Sequence, residues 1–561
     1  MGQFVGLNQQ ELDEERAKQL ATFEHSESVR KNFEKKTQIP HIHLRLCSIG
    51  YLELCGPDPG GNLERFVKSR WLAEDAEFVS RNVVASGSCC WRNNQETNLP
   101  REPMDYVCDK HFVFEFPKTG IQGSGACGAF MAKFTLELID LMNDCSCELI
   151  SCSMENLDTF REAQITFRSP HQQGMLGPCM MVAMKQLGSI ELLGSNTEGI
   201  LDELTRYLQD LGCEAVGNVA NSEHERELRA SFARPCISNS NSGDNNMGRR
   251  AAGIVNFMAR CGWSLAAHSE LDMTGGFGQG RERNLIFRKD SLGFQEHFIV
   301  ELQNSGRIYL NGDAAGVELA GMFFGCHGFQ SCYPEKLCDA QYVAPAGYFI
   351  DDMGTNLSKS SVELVDWLSG KGWTLRCGGS MHHHQRDGSI RQEHHLVFAR
   401  VQQKHTTPWS ALAVEFRVIP QSLTSYSCVV EVSGEQTCQI YDKLLLFFTQ
   451  DMLCEEVGQV AQAPQAQAHC DHLLSCNALQ VRGLGLQAES NFGRFSTMLC
   501  DFMADHLHEW TLVSNVGQSY STTWKDATDT PGIRLLARQQ LFIFLSSSPA
   551  PLQQNMSGAR R

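Results

Sequence analysis

The sequence predicts an α+β fold of four tandem repeats of about 120 residues, each with two helices packed on short antiparallel strands. Three observations predict it. A glycine-bounded heptapeptide recurs four times, a helical stripe repeatedly ends at Gly-Trp or Trp, and each such stripe precedes a hairpin pattern closing on an apolar residue near an arginine.

The heptapeptide reads Gly50-Tyr51-Leu52-Glu53-Leu54-Cys55-Gly56, Gly188-Ser189-Ile190-Glu191-Leu192-Leu193-Gly194 and Gly306-Arg307-Ile308-Tyr309-Leu310-Asn311-Gly312. A degenerate copy runs from Cys428 to Gly434. The starts lie 138, 118 and 122 residues apart. Aliphatic residues at the third and fifth places give the period of a strand with one buried face. A β-like run precedes each copy: Leu44 to Leu46, Met180 to Met184, Phe298 to Leu302 and Ala413 to Val418.

The helical pattern after the second glycine is clearest where Leu201, Leu204, Leu208 and Leu211 follow the 3.6-residue period, with Gly212 as a stop. A second helix closes at Trp263, Trp373 and Trp510, whereas in the first repeat Phe134, Leu138 and Leu141 lead to Cys145 with no Trp at that place. The hairpins that follow end at Phe167-Arg168, Phe287-Arg288, Phe398 with Arg400, and Leu536 with Arg538. This periodicity divides the chain into a polar N-terminal arm (1–38), repeat 1 (39–172), repeat 2 (173–292), repeat 3 (293–405), repeat 4 (406–546) and a disordered tail (547–561).

A helix ending in Gly-Trp before a hairpin ending in an apolar residue and Arg resembles certain small uncharacterised bacterial β-α-β-β domains. The resemblance spans roughly forty residues per copy and carries no established chemistry, so it implies a fold and no activity.

Composition bounds the partners. A formal net charge of -17 opposes approach to phosphate backbones or an anionic leaflet, so neither nucleic acid nor membrane is expected. The start of the chain has no apolar signal-like core, and nowhere do about 18 apolar residues run together. The 23 scattered cysteines read as reduced thiols in a cytoplasmic protein. Those at Cys47, Cys213, Cys261 and Cys500 lie in apolar stretches, where Cys packs as a small hydrophobe.

The densest chemistry lies in Met381-His382-His383-His384-Gln385-Arg386-Asp387-Gly388 and Arg391-Gln392-Glu393-His394-His395. A two-residue turn at Asp387-Gly388 would put His382, His384 and His395 on one solvated sheet face, with Leu375, Cys377, Leu396 and Phe398 on the other. Three imidazoles on one face are a candidate transition-metal site. The competing reading is a His-rich hairpin tip, and no cofactor is expected otherwise. Cys145, Cys147 and Cys152 form a second cluster, without the C-x-x-C spacing of redox sites, and read as buried thiols. The tract Gly123 to Gly128 precedes a helix and Gly275 to Gly280 falls in a hairpin turn, neither with a phosphate-loop pattern.

The expectation for function is a non-catalytic soluble repeat protein that acts as a protein-binding or scaffolding module. One alternative is a carrier that sequesters a small organic ligand in pockets between repeats. In architecture the array resembles the dinoflagellate luciferin-binding proteins, which are soluble fourfold repeats. A metal- or thiol-dependent enzyme is the other alternative.

Overall fold

The computed structural model describes residues 40–47, 51–70, 85–87, 104–106, 110–113, 124–157, 160–169, 176–185, 190–194, 200–210, 214–215, 220–221, 228–233, 247–272, 281–289, 295–333, 338–345, 355–384, 390–401, 410–420, 426–434, 443–444, 446–447, 455–459, 477–482, 492–506, 510–524 and 533–546. The arm over 1–38 and the tail over 547–561 lie outside these residues.

The fold is mixed α+β and mostly strand, with four antiparallel sheets and a separate two-stranded pair. Sheet one contains β1 (His41–Cys47), β2 (Tyr51–Cys55), β5 (Lys110–Val113), β6 (Glu148–Leu157) and β7 (Phe160–Arg168), in the order β5-β2-β1-β7-β6. The separate pair is β3 (Ala85–Gly87) with β4 (Met104–Tyr106). Sheet two runs β10-β12-β9-β8-β14-β13, from β8 (Cys179–Lys185), β9 (Ile190–Gly194), β10 (Glu214–Ala215), β12 (Leu228–Ala233), β13 (Trp263–Asp272) and β14 (Arg281–Lys289), with β11 (Ala220–Asn221) on β12. Sheet three runs β17-β18-β16-β15-β20-β19, from β15 (His297–Gln303), β16 (Arg307–Gly312), β17 (Gln330–Cys332), β18 (Ala340–Val343), β19 (Trp373–His384) and β20 (Ile390–Arg400). Sheet four runs β23-β24-β22-β21-β26-β25, from β21 (Ser410–Pro420), β22 (Tyr426–Ser433), β23 (Glu455–Gln459), β24 (Asn477–Arg482), β25 (Trp510–Trp524) and β26 (Ile533–Ser546).

Helices are fewer than strands. They are α1 (Asn62–Arg70), α2 (Ser124–Asp144), α3 (Ile200–Asp210), α4 (Met247–Arg260), α5 (Ala314–Cys326), α6 (Thr355–Ser369) and α7 (Phe492–His506), with a short helical fragment near 443–447. In α3, Ile200, Leu204 and Leu208 recur every four residues and are buried, while Asp202 and Glu203 in the first turn complement the helix dipole. Asp313 caps α5, accepting from the Ala315 and Gly316 N–H groups at 3.0 and 3.1 Å.

The second glycine of each heptapeptide has a specific geometric duty. Gly56, Gly194, Gly312 and Gly434 have φ of 107°, 152°, 127° and 141°, where a side chain is strained. A Cβ added there would fall 2.6, 3.0, 2.7 and 2.7 Å from the carbonyl oxygens of His41, Cys179, His297 and Ala411 on the neighbouring strand. Each closing hairpin also carries a register shift at a corresponding place, between Leu149 and Ser151, Leu265 and Ala267, Leu375 and Cys377, and Leu512 and Ser514.

Two sequence assignments are corrected here. The last hairpin does not end at Leu536 and Arg538. Strand β26 continues to Ser546, and Phe544 pairs with Leu412 as Phe167, Phe287 and Phe398 pair with Ile42, Met180 and Phe298. In the first hairpin Cys147, 1 % exposed, precedes Glu148 as buried Trp263 precedes Ser264, so a small thiol stands where the others place a large ring.

Contacts between sheets form a closed cycle. Strand β6 touches β13, β13 touches β19, β19 touches β25, and β25 touches β6, which covers one edge of every sheet. Helix α2 lies against β6 to β9, α4 against β13 to β16, α6 against β19 to β22, and α7 against β25, β1 and β2. Each helix thereby bridges its own sheet to the next. A side chain of each also accepts from the first strand of that next sheet: Asp140 from the Cys179 N–H at 3.1 Å, Asn256 from His297 at 2.8 Å, Asp366 from Ala411, and Asp501 from His41 at 2.9 Å. Sandwiching between helices buries both faces of the central strands, and β1 and β15 are buried at every residue. Among the described residues no helix is long and apolar enough to cross a membrane.

Candidate functional site

The His-rich hairpin is built differently from the expectation. Strands β19 and β20 are separated by five residues, 385–389, and the register pairs His384 with Ile390, His382 with Gln392, and Gly379 with His395. This is one residue away from the pairing of a two-residue turn, and a one-residue slip reverses the face. Position 395 is therefore out of phase with positions 382 and 384, and their common face is corrected. The side chains of His382 and His384 lie outside the described residues. Among the described residues no group of three or more His, Cys, Asp or Glu side chains is placed to hold a metal ion.

His395 lies on no solvated face. It is fully buried between sheets two and three, in a network of charged groups. Arg283 donates from Nη2 to Glu301 Oε1 at 2.8 Å and to His395 Nδ1 at 2.8 Å. A guanidinium has no acceptor, so Nδ1 accepts and the imidazole proton sits on Nε2, 3.4 Å from Glu393 Oε2. Gln303 Nε2 donates to the other Glu393 oxygen at 2.6 Å. His268 lies alongside, with ring centroids 5.6 Å apart.

Two glycines make room for this network. A Cβ on Gly379, which pairs with His395, would fall 3.0 Å from His268 Nδ1. A Cβ on Gly248 would fall 2.5 Å from Glu301 Oε1 and 2.7 Å from Asn311 Nδ2, so a larger residue in the first turn of α4 would have to push these side-chain ends aside. Glycine inside a regular element is the sequence signal of such close approach. It was present at both positions, but nothing local named the partners.

A histidine against a carboxylate is the constellation of general base chemistry. Here Arg283, Glu393 and His395 are at most 1 % exposed, with Arg283 hydrogen-bonded to Glu301 and His395 and Glu393 accepting from Gln303. The arrangement keys sheet two to sheet three. Paired burial of this kind is costly to break at one partner and specifies a register.

In the thiol cluster Cys147 and Cys152 are buried and Cys145 is half-buried. Burial pushes Cys147 and Cys152 up to about 12, with the neighbouring Cys145 adding to the shift at Cys147. Cys179 and Cys377 are likewise pushed up to about 12, chiefly by burial. A thiol held protonated is a poor nucleophile and a poor metal ligand. The arginines at the strand ends are engaged too: Arg168 and Arg288 both reach Glu148, at 2.6 and 3.4 Å, and Arg400 pairs with Glu296 at 2.7 Å. Burial would raise the Glu148 carboxyl, but the two guanidinium groups together hold it below the ordinary range.

Residues 124–128 of the first glycine-rich tract form the opening of α2 rather than a loop before it, and 275–280 lie outside the described residues. An open groove of about 620 Å³ runs beside α1 and α2, lined by Asn62, Arg65, Phe66, Lys68, Ser69 and Leu141. Sequence reasoning missed a different feature, the outer edge of sheet three. Met322 on α5, Tyr333 after β17 and Val343 at the end of β18 are 53 %, 92 % and 37 % exposed. No family model matches the chain, and no curated protein matches it.

Proposed function

We propose that the four sheets are copies of one unit and that the chain is a non-catalytic protein-binding or scaffolding module of the cytoplasm. Four glycines in one strained conformation, four register shifts at corresponding places and four helix-to-strand hydrogen bonds support the common unit. One observation carries the binding role. The Arg283, Glu393 and His395 network is buried, whereas three of the four exposed large apolar side chains among the described residues, Met322, Tyr333 and Val343, belong to the outer part of sheet three and its helix α5. Apolar side chains grouped beside a short edge strand are what a partner chain can cover.

The groove beside α1 and α2 favours a second reading, a carrier of a small organic ligand. Its volume of about 620 Å³ falls within the range of ligand sites, with Phe66 and Leu141 at its apolar part, although it lies open to solvent beside Asn62, Arg65, Lys68 and Ser69. Native mass spectrometry of the chain isolated from its own cells separates the two. The expected result is a protein subunit at fixed stoichiometry, lost in a Met322→Glu/Tyr333→Ser variant. A stoichiometric chromophore or metal ion, with no protein subunit, overturns the first reading.

A further inference from the structure

We infer that Cys145 and Cys147 are a redox pair at the end of α2, in which Cys145 exchanges with a low-molecular-weight disulfide and Cys147 then closes a bond to Cys145. The backbone between them is unusual. Ser146 has φ of 61° and is the one residue other than glycine with positive φ among the described residues. It caps α2: the Cys147 N–H donates to the Met142 carbonyl and the Ser146 N–H to the Asn143 carbonyl, both at 2.8 Å. After α4 and α6 the same place is held by Gly262 and Gly372, with φ of 76° and 84°, each followed by a buried Trp. Cys145-Ser146-Cys147 thus stands where Cys261-Gly262-Trp263 and Lys371-Gly372-Trp373 stand elsewhere. Packing alone favours glycine and the large ring at such a cap. The exchange sets a thiol on each side of a fixed bend.

That bend gives the pair a workable spacing. A helical turn holds residues two apart at about 5.4 Å between Cα atoms, within the range a disulfide spans. Cys147 Sγ turns back on its neighbour and donates to the Cys145 carbonyl oxygen at 3.7 Å.

Exposure divides the roles. Cys147 is 1 % exposed and does not meet a dissolved disulfide. Cys145 is half-buried and joins two residues that line the open groove: Asn62 Nδ2 donates to its Sγ at 3.2 Å, and its own N–H donates to the Leu141 carbonyl at 3.1 Å. Arg65 donates to Asn62 Oδ1. A guanidinium has no acceptor, so the amide oxygen faces Arg65 and the amide N–H faces the sulfur. The cation polarises the amide and strengthens its N–H as a donor. This donor meets the sulfur where Cys145 carries negative charge, as attacking thiolate on oxidation and as leaving thiolate on reduction.

The exchange balances. The Cys145 thiolate attacks one sulfur of the disulfide, forms a mixed disulfide and releases a thiolate, which takes up the proton Cys145 has lost. Cys147 gives its proton to water, attacks the Cys145 sulfur and releases the second thiolate, which is protonated in turn. The chain loses two hydrogens, and the small disulfide is reduced to two thiols. Burial makes Cys147 a poor nucleophile toward dissolved reagents, but its fixed place beside Cys145 raises its effective concentration.

Glutathione disulfide applied to the full chain, followed by acid quenching, alkylation of the remaining thiols and mass spectrometry, tests the pair. Cleavage after Glu148 separates it from Cys152. The expected peptide is lighter by two hydrogens, unalkylated at both Cys145 and Cys147, and restored by a thiol reductant. In Cys147→Ala the glutathione adduct should stay on Cys145, and in Cys145→Ser the Cys147 thiol should remain free. Asn62→Ala should slow oxidation of Cys145 severalfold and leave adduct formation at the exposed Cys326 unchanged, and equal rates in parent and variant remove Asn62 from the mechanism. In the parent chain, free thiols at both positions under conditions that modify Cys326 overturn the inference. A glutathione adduct that persists on Cys145 beside a free Cys147, or a bond from either thiol to another cysteine, overturns it equally.

Discussion

At the scale of single residues, environment assigns the thiols their roles. Burial pushes the Cys152 and Cys377 thiols up to about 12 from an ordinary 9.0, while Cys326 is exposed. Three units of pKa lower the thiolate fraction about a thousandfold at pH 8. Iodoacetamide applied to the native protein at pH 8 should label Cys326 and leave Cys152 and Cys377 unlabelled in a peptide map. Labelling of Cys152 would revive a thiol enzyme. His297 offers a test by pH. Burial, helped by Arg376, depresses it to about 4 from 6.5, only partly opposed by a backbone contact at Gln295. The unfolded chain therefore takes a proton near pH 6.5 that the folded chain refuses until about pH 4. Stability is full above that window and falls as pH drops through it, by on the order of 3 kcal/mol. In His297→Gln the fall in urea midpoint between pH 7 and pH 4.5 should be smaller than in the parent chain.

At the scale of elements, legibility followed the local backbone. The heptapeptides were readable because Gly56, Gly194, Gly312 and Gly434 meet one local demand, positive φ beside a neighbouring strand. That demand gives a prediction. Gly312→Ala should destabilise the chain by about 1–3 kcal/mol from the strained φ alone, with more from the approach to the His297 carbonyl, whereas Gly325→Ala, with open space at its Cβ, should not weaken it. Chemical denaturation of the two variants measures the difference. The hairpin of sheet three shows where such reading ends. Asp387-Gly388 is a turn signal, but loop length sets parity, and the five residues between β19 and β20 put His395 out of phase with positions 382 and 384. Polar alternation misled for a second reason. It marks the solvated face of a sheet only when one face is solvated, and here helices lie against both.

At the scale of the whole molecule, closure was invisible to the sequence because it joins residues hundreds of positions apart. His41 and Asp501 are separated by 460 residues, and nothing near either one announces the other. Yet the latch that closes the cycle has the form of the three inside it, a helix side chain accepting from the first strand of the next sheet. If closure is an ordinary junction lacking only its covalent link, the order of the sheets along the chain is not essential to the fold. A circular permutant tests this. Arg561 is joined to Met1, and new ends are opened within residues 290–294, between β14 and β15. The link moves to the junction of α7 with sheet one and leaves the junction that holds Arg283, Glu301 and His395. That junction keeps Ile299, Cys377 and Val397 packed against the core of sheet two, so it should remain closed without its tether. The permutant should give the far-ultraviolet circular dichroism of the parent, and exchange at α7 and β1 should slow, since a tether raises the effective concentration of the two faces. A permutant that fails to fold would show that closure depends on the order in which the sheets are joined.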